Sequence, residues 1–353
     1  MQINKLNRTL GVIGGGQLGK MIGLAAANLG ISCHFFDPDK NAPAKNISQS
    51  FYNYHYDNEK KLLEFAKKCD FLTYEFENIP LSTLKKIIKY KKIYPGIKPL
   101  QVSQDRFVEK SFIKGLGIKV AEFSKINCIE DVRNLLNNNY IKGIIKTRKL
   151  GYDGKGQIRV DLKNLNNINL NIKPDNFILE KLIPFDKEIS VIAVRKKNGE
   201  IKTFEPTQNI HKKGILRETS YPANISNKCS TKAKNIAKKI TKELKVIGLL
   251  AVEMFVLKGE DIMVNEIAPR PHNSGHWTKD ACNISQFDAL VRSIFDMPIP
   301  QITYIKSCKM INLLGDNFYF YKKYLKKKNC RVYIYGKTEI RDARKMGHIN
   351  VIT

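Results

Sequence analysis

The chain has 353 residues, with 61 Lys and Arg against 33 Asp and Glu and a formal net charge of +28. At about 150 residues per domain there is room for two or three domains, so no disulfide or metal staple is needed, and 42% hydrophobic content excludes a disordered chain. The charge invites a nucleic-acid partner, yet only 12 of the 61 cations are Arg, the residue suited to bidentate phosphate and base recognition. Lys enrichment alongside Asn and Ile reads as background composition, and no nucleic-acid partner is expected. The seven cysteines (33, 69, 128, 229, 282, 308 and 330) are scattered without a CxxC pair, which suggests neither a zinc site nor a disulfide framework and fits a reducing cytoplasm. Glycines interrupt the first apolar run, and no stretch of about eighteen apolar residues exists, so neither a signal peptide nor a membrane span is expected.

Along the chain, TLGVIGG reads as a strand, QLGKMIGLAAANLG as a helix and ISCHFFD as a second strand, a βαβ unit that predicts a doubly wound α/β domain. DFLTYEF is a strand and LSTLKKIIKYKK a helix, and the pattern lapses near Gly96–Pro99. VSQDRFVEKSFIKGLG then predicts one helix, and KGIIKTRKLGYDGKGQIRV predicts strand, glycine loop and strand. NFILEKLI, ISVIAVRK and IKTFEP are strands. KAKNIAKKITKELKVIG is an amphipathic helix with Ile236, Ile240, Leu244 and Ile247 on one stripe. LLAVEMFVLKGEDIMVNEI is a hairpin, and SQFDALVRSIFDMP a helix. MINLLG and RVYIYG are short strands, followed by a basic loop, RDARKMGH. This order predicts an α+β region after the α/β domain.

Several clusters can carry chemistry. Gly14-Gly15-Gly16-Gln17-Leu18-Gly19 fits GxGxxG, with Asp37 ending the next strand near the position of a ribose-binding acid. It suits a pyrophosphate on helix N–H groups, as in NAD binding, or plain tight strand–helix packing; both readings stay open. Gly151 to Gln157, with Tyr152, Asp153, Gly154, Lys155 and Gly156 between, is a strand-to-strand glycine loop whose N–H groups and Lys suit a polyphosphate. Lys146 ends the strand before it, suited either to reach the same phosphates or to stand exposed; both readings stay open. In the hairpin, Gly259 suits a two-residue type II′ turn between Lys258 and Asp261, and counting back from that pair sets Glu253 opposite Glu266. Two carboxylates there, beside Asn265, need a cation between them. Mg²⁺, completed by phosphate oxygens, fits better than a shifted register that exposes one Glu. Pro269 to Thr278 carries Arg270, placed to steady an anionic transition state, with His272 and His276 as hydrogen-bonding residues. Lys337, Arg341, Arg344, Lys345 and His348 form a phosphate-binding loop or a solvated basic run.

The strings GGGQLGKM, TYEFENI, GYDGKGQ, NEIAPRPHNSGHWT and YGKTEIRDARKMGH, in this order over residues 10–350, closely resemble the 5-(carboxyamino)imidazole ribonucleotide synthase family of ATP-grasp enzymes. The resemblance implies a Rossmann-like pre-ATP-grasp domain at 1–100, a two-lobed ATP-grasp region at 101–297 and a small β-rich lobe at 298–353. It implies ATP- and bicarbonate-dependent carboxylation of 5-aminoimidazole ribonucleotide through carboxyphosphate, in purine biosynthesis. Arg106, Lys146 and 152–157 would hold the ATP phosphates, and Glu180, Lys181, Leu182 and Ile183 the adenine. Glu188 would meet the ribose near His211, Asn265 would line the nucleotide, and Glu253 and Glu266 would hold Mg²⁺. Gln17, Leu18, Glu75, Asn273, Lys337, Arg344 and Lys345 would hold the ribonucleotide, which reassigns the GxGxxG turn from NAD to substrate. Tyr152, Asp153, Lys155, Arg270 and Lys345 would surround the reacting carboxyl. A homodimer is implied as well. The formate-dependent glycinamide ribonucleotide transformylase family is the nearest alternative, but its glycine loop is Ser-rich where this one reads YDGKGQ.

Overall fold

A computed structural model describes residues 7–353 apart from Asn139, Tyr152, Asp153, Lys155, Asn166, Asn167 and 169–171. The first hundred residues form β1 (Arg8–Ile13), α1 (Gln17–Ala27), β2 (Ile31–Phe36), β3 (Ser50–Tyr52), α2 (Glu59–Lys67), β4 (Phe71–Tyr74), α3 (Leu81–Ile87), β5 (Ile93–Tyr94) and α4 (Ile97–Ser103). The sheet order is β3-β2-β1-β4-β5, all parallel. A switch in strand order therefore falls between β1 and β4, where the carboxyl ends of parallel strands open a crevice. The turn after β1 needs glycine. Gly14 has φ +103°, and a Cβ on Gly19 would stand 2.7 Å from the Gly14 carbonyl oxygen.

Next come α5 (Arg106–Gly115), β6 (Phe123–Ile126), α6 (Ile129–Asn138), β7 (Gly143–Thr147), β8 (Gln157–Val160) and β9 (Phe177–Lys181). The four strands make an antiparallel sheet ordered β6-β9-β7-β8. Alternation along the strands decides its two faces. Ile145, Leu179 and Ile126 pack with Val132 and Leu136 of α6, which leaves Ile144, Lys146 and Glu180 on the opposite face.

The larger unit holds β10 (Lys187–Arg195), β11 (Ile201–Thr203), β12 (Thr207–Lys212), β13 (Ile215–Tyr221), α7 (Asn227–Glu243), β14 (Gly248–Val256), β15 (Ile262–Ala268), α8 (Thr278–Ala281) and α9 (Gln286–Ile294). It continues into β16 (Cys308–Leu314), α10 (Tyr321–Leu325), β17 (Cys330–Ile334) and β18 (Lys345–Ile352). One sheet runs through both, ordered β15-β14-β10-β12-β13-β16-β18-β17 with β11 paired to β10. Both faces of its centre are buried. Val191, Ala193 and Val252 pack with Ala233, Ala237 and Ile240 of α7, while Ile192, Val194 and Ala251 pack with α9 and with α1 of the first domain. The same apolar cluster thus joins the α/β domain to the large sheet. Among the described residues no helix is long and apolar enough to cross a membrane.

Four readings of the sequence need revision. The single helix expected over VSQDRFVEKSFIKGLG is two, α4 and α5. Asp105 adopts extended backbone and accepts hydrogen bonds from the N–H groups of Phe107 and Val108, capping α5 and interrupting the run. The basic loop RDARKMGH becomes strand from Lys345 onward, with His348 fully buried, so His348 belongs to the core and not to a phosphate loop. The amphipathic helix α7 ends at Glu243, short of the expected Gly248, while Ile240 and Leu244 of the expected stripe are buried, Ile236 packs beside them, and Cys229, Ala233, Ala237 and Thr241 widen the buried face. The hairpin turn has three residues, Lys258–Glu260, closed by Leu257 N–H donating to Asp261 O, so Lys258 and Asp261 do not pair. A bulge at Asn265 cancels that one-residue error, and Glu253 lies opposite Glu266 after all.

Asp105 also holds Arg148 through Oδ2 at 2.7 Å and Oδ1 at 3.1 Å. Asp105→Ala should therefore lower unfolding free energy by about 1–3 kcal/mol. Urea denaturation checks this, and an unchanged midpoint would contradict the capping role.

Candidate functional site

A cavity of about 770 Å³ lies between the four-stranded sheet and the large sheet, closed on one side by α5. The small sheet contributes Lys146, Gln157, Glu180 and Lys181, continuing into Leu182 and Ile183. The large sheet contributes Glu188, His211, Glu253, Asn265 and Glu266. Arg106, Gly154, Arg270, Asn273 and Lys345 complete the expected set on its wall. Gly156 is not on the wall; its positive φ of +71° shapes the return into β8. Tyr152, Asp153 and Lys155 lie outside the described residues.

Register explains why these side chains converge. In the small sheet Lys146 pairs with Ile178 and Ile144 with Glu180, so Lys146 and Glu180 share a face diagonally and meet, with Nζ 2.9 Å from Oε2. Lys110 of α5 reaches the same Oε2 at 3.1 Å. Burial alone would raise the Glu180 carboxyl, but the two lysines outweigh it and hold it down at about 2. Burial in turn lowers Lys146 below the usual range.

The opposed pair on β14 and β15 is not left bare. Glu253 Oε1 lies 3.0 Å from His272 Nε2, and Glu266 Oε2 lies 3.3 Å from the Arg106 guanidinium. Burial opposes ionisation of Glu253, yet the His272 hydrogen bond keeps its carboxyl below the usual range. Arg106 also donates to the carbonyls of Thr147 and Gly151, which ties α5 to the mouth of the glycine loop. Among the described residues no three His, Cys, Asp or Glu side chains converge as a ready metal cage. Two carboxylates facing one cavity fit instead a hard cation that takes its other ligands from phosphate oxygens.

At the adjoining edge, Glu188 Oε2 lies 2.7 Å from His211 Nδ1. Arg270 Nε lies 2.7 Å from Glu77 Oε1. Asn273 Oδ1 is buried with no hydrogen-bond partner among the described residues, a free acceptor on the cavity wall.

Gln17, Leu18, Glu75, Lys337 and Arg344 are not on that wall. The first domain meets the C-terminal lobe where Lys20 Nζ donates to Tyr335 O at 3.1 Å; there Lys337 lies close enough to act on the Glu75 carboxyl, whereas Arg344 donates to the Glu339 carbonyl at 3.1 Å. The Leu18 side chain packs in the core, leaving only its backbone for a ligand. Glu75, directly after β4, reaches across the switch point and accepts hydrogen bonds from the N–H groups of Gly16 and Gly19. Burial raises its carboxyl to about 7. Asp37 takes the Gly15 N–H at 2.6 Å and the Tyr56 hydroxyl at 3.0 Å, so it is no ribose ligand. The donors that a dinucleotide pyrophosphate would use are therefore already occupied by carboxylates, which removes the NAD reading of GxGxxG.

The sequence reading missed other wall residues. Glu109 and Arg148 line the cavity, and burial raises the Glu109 carboxyl to about 8. Phe185 and Phe255, also on the wall, stack at 4.5 Å. One signal was present: Arg106, Glu109, Lys110 and Ile113 recur at helical spacing, a stripe buried in α5 although three of its members are charged.

Burial works against charge on His211, but Glu188 raises its pKa above the ordinary 6.5. This contact therefore stabilises the fold fully below pH 6.5, and the contribution is lost as pH rises through the elevated value. In an NMR titration His211 should titrate above 6.5 and Glu188→Gln should bring it down; a wild-type value at or below 6.5 would contradict the pairing.

Three family descriptions match the chain: the ribonucleotide synthetase preATP-grasp domain over residues 7–104, the ATP-grasp domain over 111–287 and the phosphoribosylaminoimidazole carboxylase C-terminal domain over 308–353. The N5-carboxyaminoimidazole ribonucleotide synthase of Brucella melitensis is 39% identical over 351 residues, covering 99% of this chain and 97% of the relative. The N5-carboxyaminoimidazole synthetase of Staphylococcus aureus complexed with ADP superposes with a TM-score of 0.93 at 36% identity, over 99% of this chain and 96% of that one. The Aspergillus clavatus enzyme in complex with ADP and 5-aminoimidazole ribonucleotide superposes with a TM-score of 0.91 at 29% identity, over 98% and 94%.

Proposed function

The chain belongs to the N5-carboxyaminoimidazole ribonucleotide synthase family, and from that membership we propose that it carboxylates the 5-amino group of 5-aminoimidazole ribonucleotide at the expense of ATP, a step of purine biosynthesis. Bicarbonate is the carbon source. One of its oxygens attacks the γ-phosphorus, the bond to ADP breaks, and carboxyphosphate forms. The 5-amino nitrogen then bonds to the carboxyl carbon, directly or as released CO₂; phosphate departs with the bridging oxygen and the nitrogen loses a proton.

The observation that carries this reading is the Glu253–Glu266 pair facing a cavity whose wall also bears Arg106 and Lys146. A triphosphate is the ligand that satisfies both sets of charges. Arg106, Lys146, Gly154 and Gln157 hold its phosphates, with Gly156 shaping the loop between them. Glu180, Lys181, Leu182 and Ile183 run beside the adenine, with Glu188 on the ribose, His211 behind it and Asn265 at the nucleotide. Glu253 and Glu266 would hold Mg²⁺, which when bound would neutralise charge at the transferring phosphoryl group. Arg270 and Lys345 put positive charge where carboxyphosphate develops, and the orphaned Asn273 Oδ1 accepts a hydrogen bond from the ribonucleotide. Gln17, Leu18, Glu75, Lys337 and Arg344 take the ribonucleotide at the domain junction. Tyr152, Asp153 and Lys155, outside the described residues, are assigned to the reacting carboxyl from the sequence motif alone. Exclusion of water from the cavity protects the mixed anhydride.

The same reading divides the chain at 1–100, 101–297 and 298–353 and makes it a cytoplasmic homodimer. The last boundary falls between α9 and β16, where the large sheet nevertheless continues from β13 to β16.

Purified protein should release phosphate from ATP only with 5-aminoimidazole ribonucleotide, bicarbonate and Mg²⁺, and formate should not replace bicarbonate. Glu266→Gln should cut kcat about a hundredfold or more. A coupled phosphate assay checks both; turnover indifferent to the ribonucleotide would overturn the substrate, and full activity in the variant would overturn the metal site.

A further inference from the structure

The buried helix α5 carries a cation that the reaction outlined above does not use. Lys110 is 2% exposed along its side chain and is not on the cavity wall. It donates to Glu180 Oε2 at 3.1 Å and to the carbonyl of Asn265 at 3.2 Å. Asn265 is the bulge residue of β15, without a cross-strand partner in the ladder, so Lys110 is fastened at a point that the register itself creates. Lys146, by contrast, lines the cavity, and among the described residues its ammonium is bonded to Glu180 alone. Two ammonium groups therefore share one carboxylate oxygen, one tethered and one facing the space where phosphates bind.

We propose that Lys110 is a positioning residue for nucleotide binding: it is the resident counter-ion of Glu180, which allows Lys146 to leave that carboxylate for the phosphates. The proposal rests on the ATP-binding reading of the cavity. With Lys146 as sole partner, its departure would strand a carboxylate that is 4% exposed, and an unpaired buried charge is heavily disfavoured. Lys146 would stay where it is. With Lys110 in place Glu180 keeps one ion pair whichever way Lys146 points. The other charged groups here do not duplicate the role. Arg106 is engaged with Glu266, Thr147 and Gly151, and Glu109 accepts the Ile267 N–H at 2.7 Å. The low Glu180 pKa, held down by both lysines against burial, agrees with a carboxylate that stays ionised throughout.

A double-mutant cycle of Lys110→Met and Glu180→Gln, read as steady-state KM for ATP and for 5-aminoimidazole ribonucleotide, tests this. In the otherwise native enzyme Lys110→Met should raise the KM for ATP roughly tenfold or more, the loss of one charge-assisted hydrogen bond, and leave that of the ribonucleotide within about twofold. In the Glu180→Gln background, where Lys146 has no carboxylate to hold it, the same substitution should change the ATP KM by less than about twofold. That background buries no unpaired carboxylate, so a clear loss of ATP affinity there would overturn the role even if Lys110→Met alone does not fold. Equal losses in both backgrounds, or a loss that falls on the ribonucleotide, would overturn the role of Lys110 while the wild type still turns over. A wild type that fails to use ATP would defeat the functional reading, and this inference with it.

Discussion

Charge matching between the two lobes is the constraint on which the rest depends. Arg106, Glu109, Lys110, Lys146 and Glu180 are all buried, and Glu266 stands at their edge. Buried charges persist only while opposite charges remain within reach. Helix α5 supplies three of the six, the small sheet two and β15 one, so the lobes are held together by the same groups that a nucleotide would engage. The cavity is thus a set of ion pairs that an anionic ligand rearranges, more than a vacant space that it fills.

The first domain obeys a related rule with a different outcome. Its glycine turn exposes helix N–H groups at the switch point of a parallel sheet, where an anion is favoured. The chain supplies that anion itself, through Asp37 and Glu75. A cradle that would suit a pyrophosphate is filled by its own carboxylates, and α1 is left to pack against α9 and the large sheet.

Much of this was legible from residue order. The βαβ opening, the strand-to-strand glycine loop and the opposed glutamates follow from periodicity and turn chemistry, although Glu253 met Glu266 through two compensating departures, a longer turn and a bulge. What was illegible depends on long-range burial. Lys110 and Glu109 share a helical stripe whose direction the sequence does not mark, and only packing turns them inward. Asp105 reads as a helix residue until its side chain caps the next helix. His348 reads as part of a basic loop until β18 is drawn between β16 and β17. Each error came from judging a polar side chain by type where tertiary position decided its role.

On the proposed function, this cavity transfers the γ-phosphoryl group of ATP to bicarbonate. Mass analysis of the phosphate released when ¹⁸O-labelled bicarbonate is turned over with ATP and 5-aminoimidazole ribonucleotide tests it most directly. Attack by a bicarbonate oxygen predicts one heavy oxygen carried into each phosphate. Unlabelled phosphate would contradict the account, because it would mean that water and not bicarbonate had received the phosphoryl group.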